Sequence, residues 1–291
     1  IFGYRTLADV LNGIRGLHTT NDRNYDYLGA RGFATPGDYN TRILLLVDGA
    51  RYNDSAYDQA SIGTDFNIDL ALIDRVEYVS GPGSSVYGPN AFFGVINVIT
   101  KRPTESAGGQ VAVELGTQRT AAGSVRHSGT SEGGVGWLVS ATRSTRAGAD
   151  LRFPEYDAPA TNNGVAQGLD SDRYSNLFGR LVVGDLTLTA THGERIKGIP
   201  TASYGQVFND SRSKTGDYRD SMSLAYSAAP LDRVALSARF DLGRFRYTGE
   251  YVYDYPPITI NRDETIGNWW GGEFQATSTL IDGHTLIGGA E

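Results

Sequence analysis

The rhythm of hydrophobic positions changes near residue 104. Before that point the pattern is mixed. Leu7, Val10, Leu11 and Ile14 follow the i, i+3, i+4, i+7 spacing of one helical face. Thr6 is placed to cap this helix, and Asp9 sits at its third position, as in a capping-box variant. Gly16 is expected to end it. Ile43–Val47 is a continuous apolar run closed by Asp48-Gly49, which predicts a short strand buried on both faces and ended by a tight turn. Ile73–Val79 predicts a second strand, with Arg75 and Glu77 alternating with Val76 and Tyr78. Phe93–Thr100 predicts a third, in which Asn97, among Val95, Ile96 and Val98, would be buried and must find a hydrogen-bond partner. The expectation is a small mixed α/β domain over residues 1–103, with Pro103 and residues 104–109 as its boundary.

After the boundary, alternation with period two dominates, placing one residue set on each face of a strand. Val111, Val113 and Leu115 alternate with Ala112 and Glu114. Val135, Trp137, Val139 and Ala141 form another apolar set, and Leu186, Leu188 and Ala190 alternate with Thr187, Thr189 and Thr191. The same rhythm runs through Tyr218–Ser227, Val234–Leu242 and Trp270–Thr277. About nine such segments have the ~10-residue length of a membrane strand. Tight connections are expected at Ala229-Pro230 and Asp282-Gly283, and long ones over Ala147–Asp172, Gly198–Asp217 and Gly249–Gly267. Alternating short and long connections fit a membrane barrel better than a soluble sandwich, whose strands average ~5–6 residues. Residues 105–291 are therefore expected to be the N-terminal part of an antiparallel transmembrane β-barrel.

Composition narrows the classes. Glycine is abundant (37 of 291 residues), tyrosine occurs 17 times and cysteine is absent. No disulfide framework or thiol nucleophile is available. A net charge of −7 argues against a nucleic-acid partner, which requires a basic face. No apolar run approaches the ~18 residues of a membrane helix.

Several motifs in fixed order then carry a resemblance. Ile43-Leu44-Leu45-Leu46-Val47-Asp48-Gly49, Ile73-Asp74-Arg75-Val76-Glu77-Tyr78-Val79, the loop Gly81–Ala91 and Gly94-Val95-Ile96-Asn97-Val98-Ile99-Thr100-Lys101 resemble the plug domain of TonB-dependent outer-membrane receptors. Leu7–Leu11 and Arg31-Gly32-Phe33 fall upstream in the family's order. Beyond residue 104 only the architecture is similar. The resemblance implies active uptake of a scarce nutrient, a ferric siderophore by default, with haem, cobalamin and glycans as alternatives. It also implies a partner, TonB with its inner-membrane energising complex at the periplasmic face, a setting in Gram-negative outer-membrane lipid, and no enzymatic step or cofactor. A surface adhesin, a phage or colicin receptor, and a receptor with an added signalling role are the competing readings. A family barrel has roughly 22 strands. This chain is therefore expected to be a piece that could not transport alone.

By position in that pattern, the apical plug loops are about 21–27 and 54–65, and Tyr52, Asp54, Tyr57 and Asp58 are the expected ligand-facing residues. Arg31, Arg75 and Glu77 are candidates for ion pairs within the plug or to the wall. An arginine often precedes the family's Gly-Pro; here Ser80 stands there, so its contact is missing or moved to Arg31 or Arg75. Gly81, Gly83, Gly88 and Gly94 would permit backbone conformations and approaches that a Cβ forbids. Tyr156, Tyr204, Tyr251 and Tyr253 lie in or beside the expected long loops and could stack on a flat ligand.

Other motifs fail on context. Gly83–Gly88 opens like a phosphate-binding loop, but Pro89-Asn90 replace its Lys and Ser/Thr. Gly129-Thr130-Ser131-Glu132-Gly133 fits a nucleophile-elbow formula yet lies between two alternating strands, where it predicts a hairpin. His18, His127, His192 and His284 have no ligand spacing, and Asp170-Ser171-Asp172 is expected to be a solvated acidic loop in preference to a calcium site.

Overall fold

The computed structural model describes residues 3–35, 37–105 and 107–291. Ile1 and Ser106, the latter inside the expected boundary stretch, lie outside them. Helix α1 spans Leu7–Asn12. The Thr6 hydroxyl accepts the Asp9 N–H at 3.2 Å, and Asp9 Oδ2 accepts the Thr6 N–H at 3.0 Å, which completes the capping box. Leu7, Ala8 and Leu11 bury its apolar face. The helix ends at Gly13, not Gly16, because the Gly13 amide turns back to the Val10 carbonyl at 3.1 Å. Gly16, with φ +87, instead turns the chain into the next strand.

Strands β1 (Leu17–Asn21) and β2 (Asp26–Ala30) form a hairpin. Strands β3 (Ile43–Val47), β4 (Ala50–Arg51), β5 (Ile73–Ser80) and β6 (Gly94–Thr100) form a second sheet in the order β4-β3-β6-β5, with β3 and β6 parallel. Asp48 and Gly49 both take positive φ (49 and 81) in the two-residue turn between β3 and β4. Ile43 and Leu45 enter the main core with Leu7, Leu11, Ile62 and Ile96, while Leu44 packs on Ala91 and Val95 on the other side. Strand β3 is thus buried on both faces, as its apolar run indicates. Residues 84–87, expected as loop, form one helical turn, α2 (Ser84–Tyr87). Asn97 is half-exposed, not buried; it donates to Glu77 Oε2 at 3.3 Å and accepts the Gly49 N–H at 3.1 Å.

The wall begins at β7 (Gly108–Gly116), followed by β8 (Thr120–Thr130) and β9 (Gly136–Arg146). Strands β10 (Leu151–Arg152) and β11 (Val165–Ala166) make a separate small hairpin inside the next loop. Then come β12 (Asp172–Val183), β13 (Leu186–Gly198), β14 (Lys214–Leu231), β15 (Val234–Asp254), β16 (Ile258–Ser278) and β17 (Leu286–Ala290). Nine of these form one antiparallel meander, β17-β16-β15-β14-β13-β12-β9-β8-β7. The loops 147–171 and 199–213 are long, as expected. The third is not a loop. Residues 249–254 and 258–267 continue β15 and β16 in unbroken register, so Tyr251 lies opposite Asn261 and only Tyr255–Pro257 connect the strands. Polar residues in that stretch read as loop, but backbone pairing does not depend on side-chain polarity. Ala229 and Pro230 likewise lie at a register shift inside β14, and Asp232-Arg233 make the turn.

The alternation sorts residues to two faces. Val111, Val113, Leu115, Leu181, Leu224, Phe240 and Trp270 are all exposed on one face. Asn176, Arg180, Thr191, Arg195, Asp217 and Arg219 are buried on the other, against the first domain. An apolar belt on this scale outside a sheet is a lipid-facing or interface surface.

Candidate functional site

The α/β domain sits on the polar face of the wall through buried hydrogen bonds to charged wall residues and the Arg180–Asp48 ion pair. The Arg195 guanidinium, about 5% exposed, reaches Asp217 at 3.0 Å and Asp172 at 3.5 Å. It also donates to the Asn24 carbonyl and the Thr64 hydroxyl of the α/β domain. Tyr25 completes the cluster: its hydroxyl donates to Asp217 Oδ1 at 2.8 Å, and burial, with Asp217 next to it, holds its pKa well above the usual phenol value. Lys197 pairs with Asp170 at 2.8 Å, both 4% exposed. Asp170 and Asp172 are therefore buried counter-ions, a correction to the solvated acidic loop. Nearer the other end, Arg180 pairs with Asp48 and donates to the Lys101 carbonyl at 3.1 Å, while Asp48 also accepts from Thr100. Arg219 lies between the Tyr52 ring, 3.8 Å away, and the Trp269 ring, 4.8 Å away.

Backbones also approach closely. A Cβ on Gly193 of β13 would stand 2.2 Å from the Asn67 Cβ, and one on Gly267 of β16 would stand 2.4 Å from the Ser55 hydroxyl. On the side of β7–β9 and β12 the fit is open, and a cavity of about 1020 Å³ with mixed polar and apolar lining separates the wall from α1 and the 21–26 and 63–71 stretches. Asp26 lines it; burial raises its pKa from 3.8 to about 6, against the hydrogen bond it accepts from Asn21.

The expected site residues divide. Tyr52 is 4% exposed and donates to Asn67 Oδ1 at 2.6 Å, so its side chain is part of the core. Asp54 is 1% exposed; its carboxylate accepts the N–H groups of Ala56, Tyr57 and Gln59 and holds a turn. Tyr57 is exposed, packs edge-on to Tyr247 at 5.9 Å and hydrogen-bonds Thr265 of β16. Asp58 is open and pairs with Arg51 at 2.9 Å. Arg75 pairs with Asp74 and Glu77 on the surface of the domain, at 2.9 and 2.8 Å. Arg31 makes no ion pair among the described residues; it donates to the Ser80 hydroxyl at 2.6 Å, at the position of the family's usual arginine. Gly81 and Gly88 have φ of +99 and +78. A Cβ on Gly94 would strike the Tyr78 ring at 2.7 Å and the Val79 carbonyl at 2.8 Å, and one on Gly83 would press the Tyr87 ring at 3.0 Å. Tyr156 stacks on Phe208 at 4.3 Å inside a small core joining the two long loops, so it supports loop shape. Tyr251 and Tyr253 belong to β15, and Tyr204 is 92% exposed at a loop tip.

Residues 2–95 match the TonB-dependent Receptor Plug Domain family. The chain belongs to the TonB-dependent receptors. It is 32% identical over 223 residues to a vitamin B12 transporter, BtuB, of Vibrio vulnificus (strain CMCP6), an alignment covering 74% of this chain and 29% of the relative. A vitamin B12 transporter BtuB of Vibrio cholerae is 32% identical over 58% of the chain and 26% of its own length. Among solved structures, the ferric-catecholate import receptor Fiu of E. coli K12 superposes with a TM-score of 0.70 at 16% identity, covering 99% of this chain and 46% of that one. The pyoverdine outer membrane receptor FpvA of Pseudomonas aeruginosa PAO1 gives 0.71 at 17% identity, with 99% and 43% covered. The chain thus spans under a third of the length of the first curated relatives. The receptor's α/β domain is a plug, and the nine-stranded sheet is the matching part of a barrel wall.

The buried cations at the plug–wall seam, Arg195 and Lys197, were missed by sequence reasoning. Arg195 and Lys197 share the parity of Thr191 and Gly193, so alternation alone placed two cations on the inward face of β13, and inward charges in a plugged barrel need partners. The plug–wall polarity at Asp48 is also instructive: the wall supplies the arginine and the plug the acid.

Proposed function

We propose that this chain is the plug, residues 1–103, and the adjoining wall, residues 105–291, of an outer-membrane receptor that takes up a scarce nutrient actively. The observation that carries the reading is a plug domain seated on the polar face of a wall whose other face is an apolar belt. A plug held by buried hydrogen bonds to charged wall residues and by the Arg180–Asp48 pair would block diffusion, so passage would require work on the plug from outside the receptor. TonB with its inner-membrane energising complex is the partner that the family implies for that work, at the periplasmic face. Ligand would bind at the opposite end, where Tyr57 and Asp58 of the plug are open beside the long loops. Two cargo classes stand: the ferric siderophore expected from the family, and vitamin B12, which the names of the sequence relatives supply.

The test is accumulation of a labelled ligand by cells that make the complete receptor. Uptake that needs TonB and collapses with a protonophore is expected. Equal accumulation in cells lacking TonB would refute active uptake.

A further inference from the structure

The outward face of the wall changes character along one line. On the short-turn side its exposed residues are apolar: Val139 on β9, Leu181 on β12, Leu186 on β13, Leu224 on β14, Leu242 on β15 and Trp270 on β16. The line itself runs through Ala141, Leu177, His192, Asp220, Arg244 and Asn268, each paired with the next across neighbouring strands. One step nearer the long loops lie Arg143, Ser175, Glu194, Tyr218 and Arg246, paired in the same way. The apolar belt therefore ends at one level across six strands, and polar side chains start there.

Most of the charge at this margin has a partner. His192 Nδ1 lies 2.6 Å from Asp220, and Arg244 stands across the strand pair from the same carboxylate. Glu194 accepts from the Ser175 hydroxyl at 2.8 Å. Arg246 pairs with Glu264 at 2.6 Å and lies over the Tyr218 ring. Arg143 and Arg173 differ: both are exposed, and neither makes an ion pair or side-chain hydrogen bond among the described residues. Arg143 is paired with Ser175 and Arg173 with Thr145, so the two are diagonal neighbours on β9 and β12. Long side chains at such positions can reach one small group between them. Beside Arg143 on β8 is Gly123, where a Cβ would meet only the Ala112 carbonyl, at 3.9 Å, so the sheet surface there is open. Two neighbouring like charges repel, and more strongly beside a low-dielectric belt than in open water. An anion between them removes that repulsion.

We infer that Arg143 and Arg173 bind the phosphate of an anionic lipid whose acyl chains lie on the adjoining apolar belt. Both parts of such a lipid are matched at once. The belt takes the chains, and its margin brings the headgroup to the level of the two guanidinium groups. A guanidinium fork fits phosphate oxygens bidentately, and its aliphatic stem covers apolar surface while the charge stays at the polar margin. Free phosphate would meet the same two cations but gain nothing from the belt. The inference is independent of the cargo and rests only on the belt facing lipid.

The test is lipid titration of the complete receptor in detergent, read by native mass spectrometry. Phosphatidylglycerol should bind at least about tenfold more tightly than zwitterionic phosphatidylcholine. Arg143→Gln and Arg173→Gln should each weaken phosphatidylglycerol about fivefold, as expected for one cation at an anionic surface, and the double variant about 25-fold. Lysine at both positions should recover part of the loss, because the charge returns without the fork. Arg246→Gln, whose cation Glu264 already holds, should leave the affinity unchanged. Equal affinity for the two lipids, an unchanged double variant, an equal loss in Arg246→Gln, or displacement of the lipid by millimolar inorganic phosphate overturns the inference. Retention of neither lipid would refute the lipid-facing belt itself, and the inference with it.

Discussion

Replacing Arg195 with Met removes the cation at the centre of the plug's apical attachment while keeping the bulk of its stem. Asp172 and Asp217, each about 6% exposed, would then face one another without a counter-charge. Stranding a buried acid in this way costs roughly 3–5 kcal/mol. Part of that loss falls on the plug itself. The bonds to the Asn24 carbonyl and Thr64 hydroxyl are charge-assisted and each contributes about 1.5–3 kcal/mol. Losing the bond to Asn24 should lower the opening free energy of residues 21–27 by on the order of 2–3 kcal/mol. At about 1.4 kcal/mol per tenfold, amide exchange of that hairpin should accelerate roughly 30- to 150-fold. Hydrogen exchange followed by mass spectrometry on the complete receptor measures it, with residues 94–100 of strand β6 as an internal control that should not change. Adding Asp217→Asn to Arg195→Met should recover about 1–3 kcal/mol by removing one stranded charge. Exchange of residues 21–27 within threefold of the parent in Arg195→Met would refute the claim that Arg195 fastens this loop.

Three further outcomes follow from the same geometry. Asp26 has its pKa raised from 3.8 to about 6, so the folded plug binds that proton more tightly than the unfolded chain does. Its contribution is fully present below about pH 4 and is lost as pH rises through about 6, a total swing of up to about 3 kcal/mol by pH 7. Asp26→Asn should raise the plug's thermal midpoint at pH 7 and flatten its pH dependence between 4 and 6; an unchanged profile would contradict the burial of this carboxyl. Gly193→Ala puts a Cβ 2.2 Å from that of Asn67 and should cost about 1–3 kcal/mol of plug seating, visible as faster proteolysis of the plug with the wall intact. Val113→Arg, on the apolar belt at 76% exposure, should cost about 2–4 kcal/mol in a bilayer, with little effect on residues 1–103. Equal stability of Val113→Arg and its parent in vesicles would place that face away from lipid.

Much of the architecture was written in local pattern. The capping box, the apolar run of β3, the Asp48-Gly49 turn and the nine alternating strands all follow from periods of 3.6 and 2 and from a few turn residues. The errors came where local polarity and backbone pairing part company. Residues 249–267 look like loop because they carry Pro, Asp, Glu, Arg and Asn, yet they extend two strands whose hydrogen bonds run independently of those side chains. The site was less legible than the fold. Position in the family order marked Tyr52 and Asp54 as open, but chain neighbours do not reveal which side of a loop meets the wall. One is pressed against Arg219 and the other is turned inward onto its own backbone amides.

What the sequence alone determined was the order of elements, the division between a mixed plug and an alternating wall, and which residues share each strand face. These depend on contacts between near neighbours and on a side-chain period that cannot slip without turning the whole face over. What only the tertiary structure decided was which buried charges and polar groups meet. Arg195 and Asn24 are 171 residues apart in the chain, Arg180 and Asp48 are 132 apart, and Tyr25 and Asp217 are 192 apart. Burial makes such distant groups obligatory partners, because in the dry seam between plug and wall an ion left without a counter-ion or hydrogen-bond partner is far less stable than it is in water.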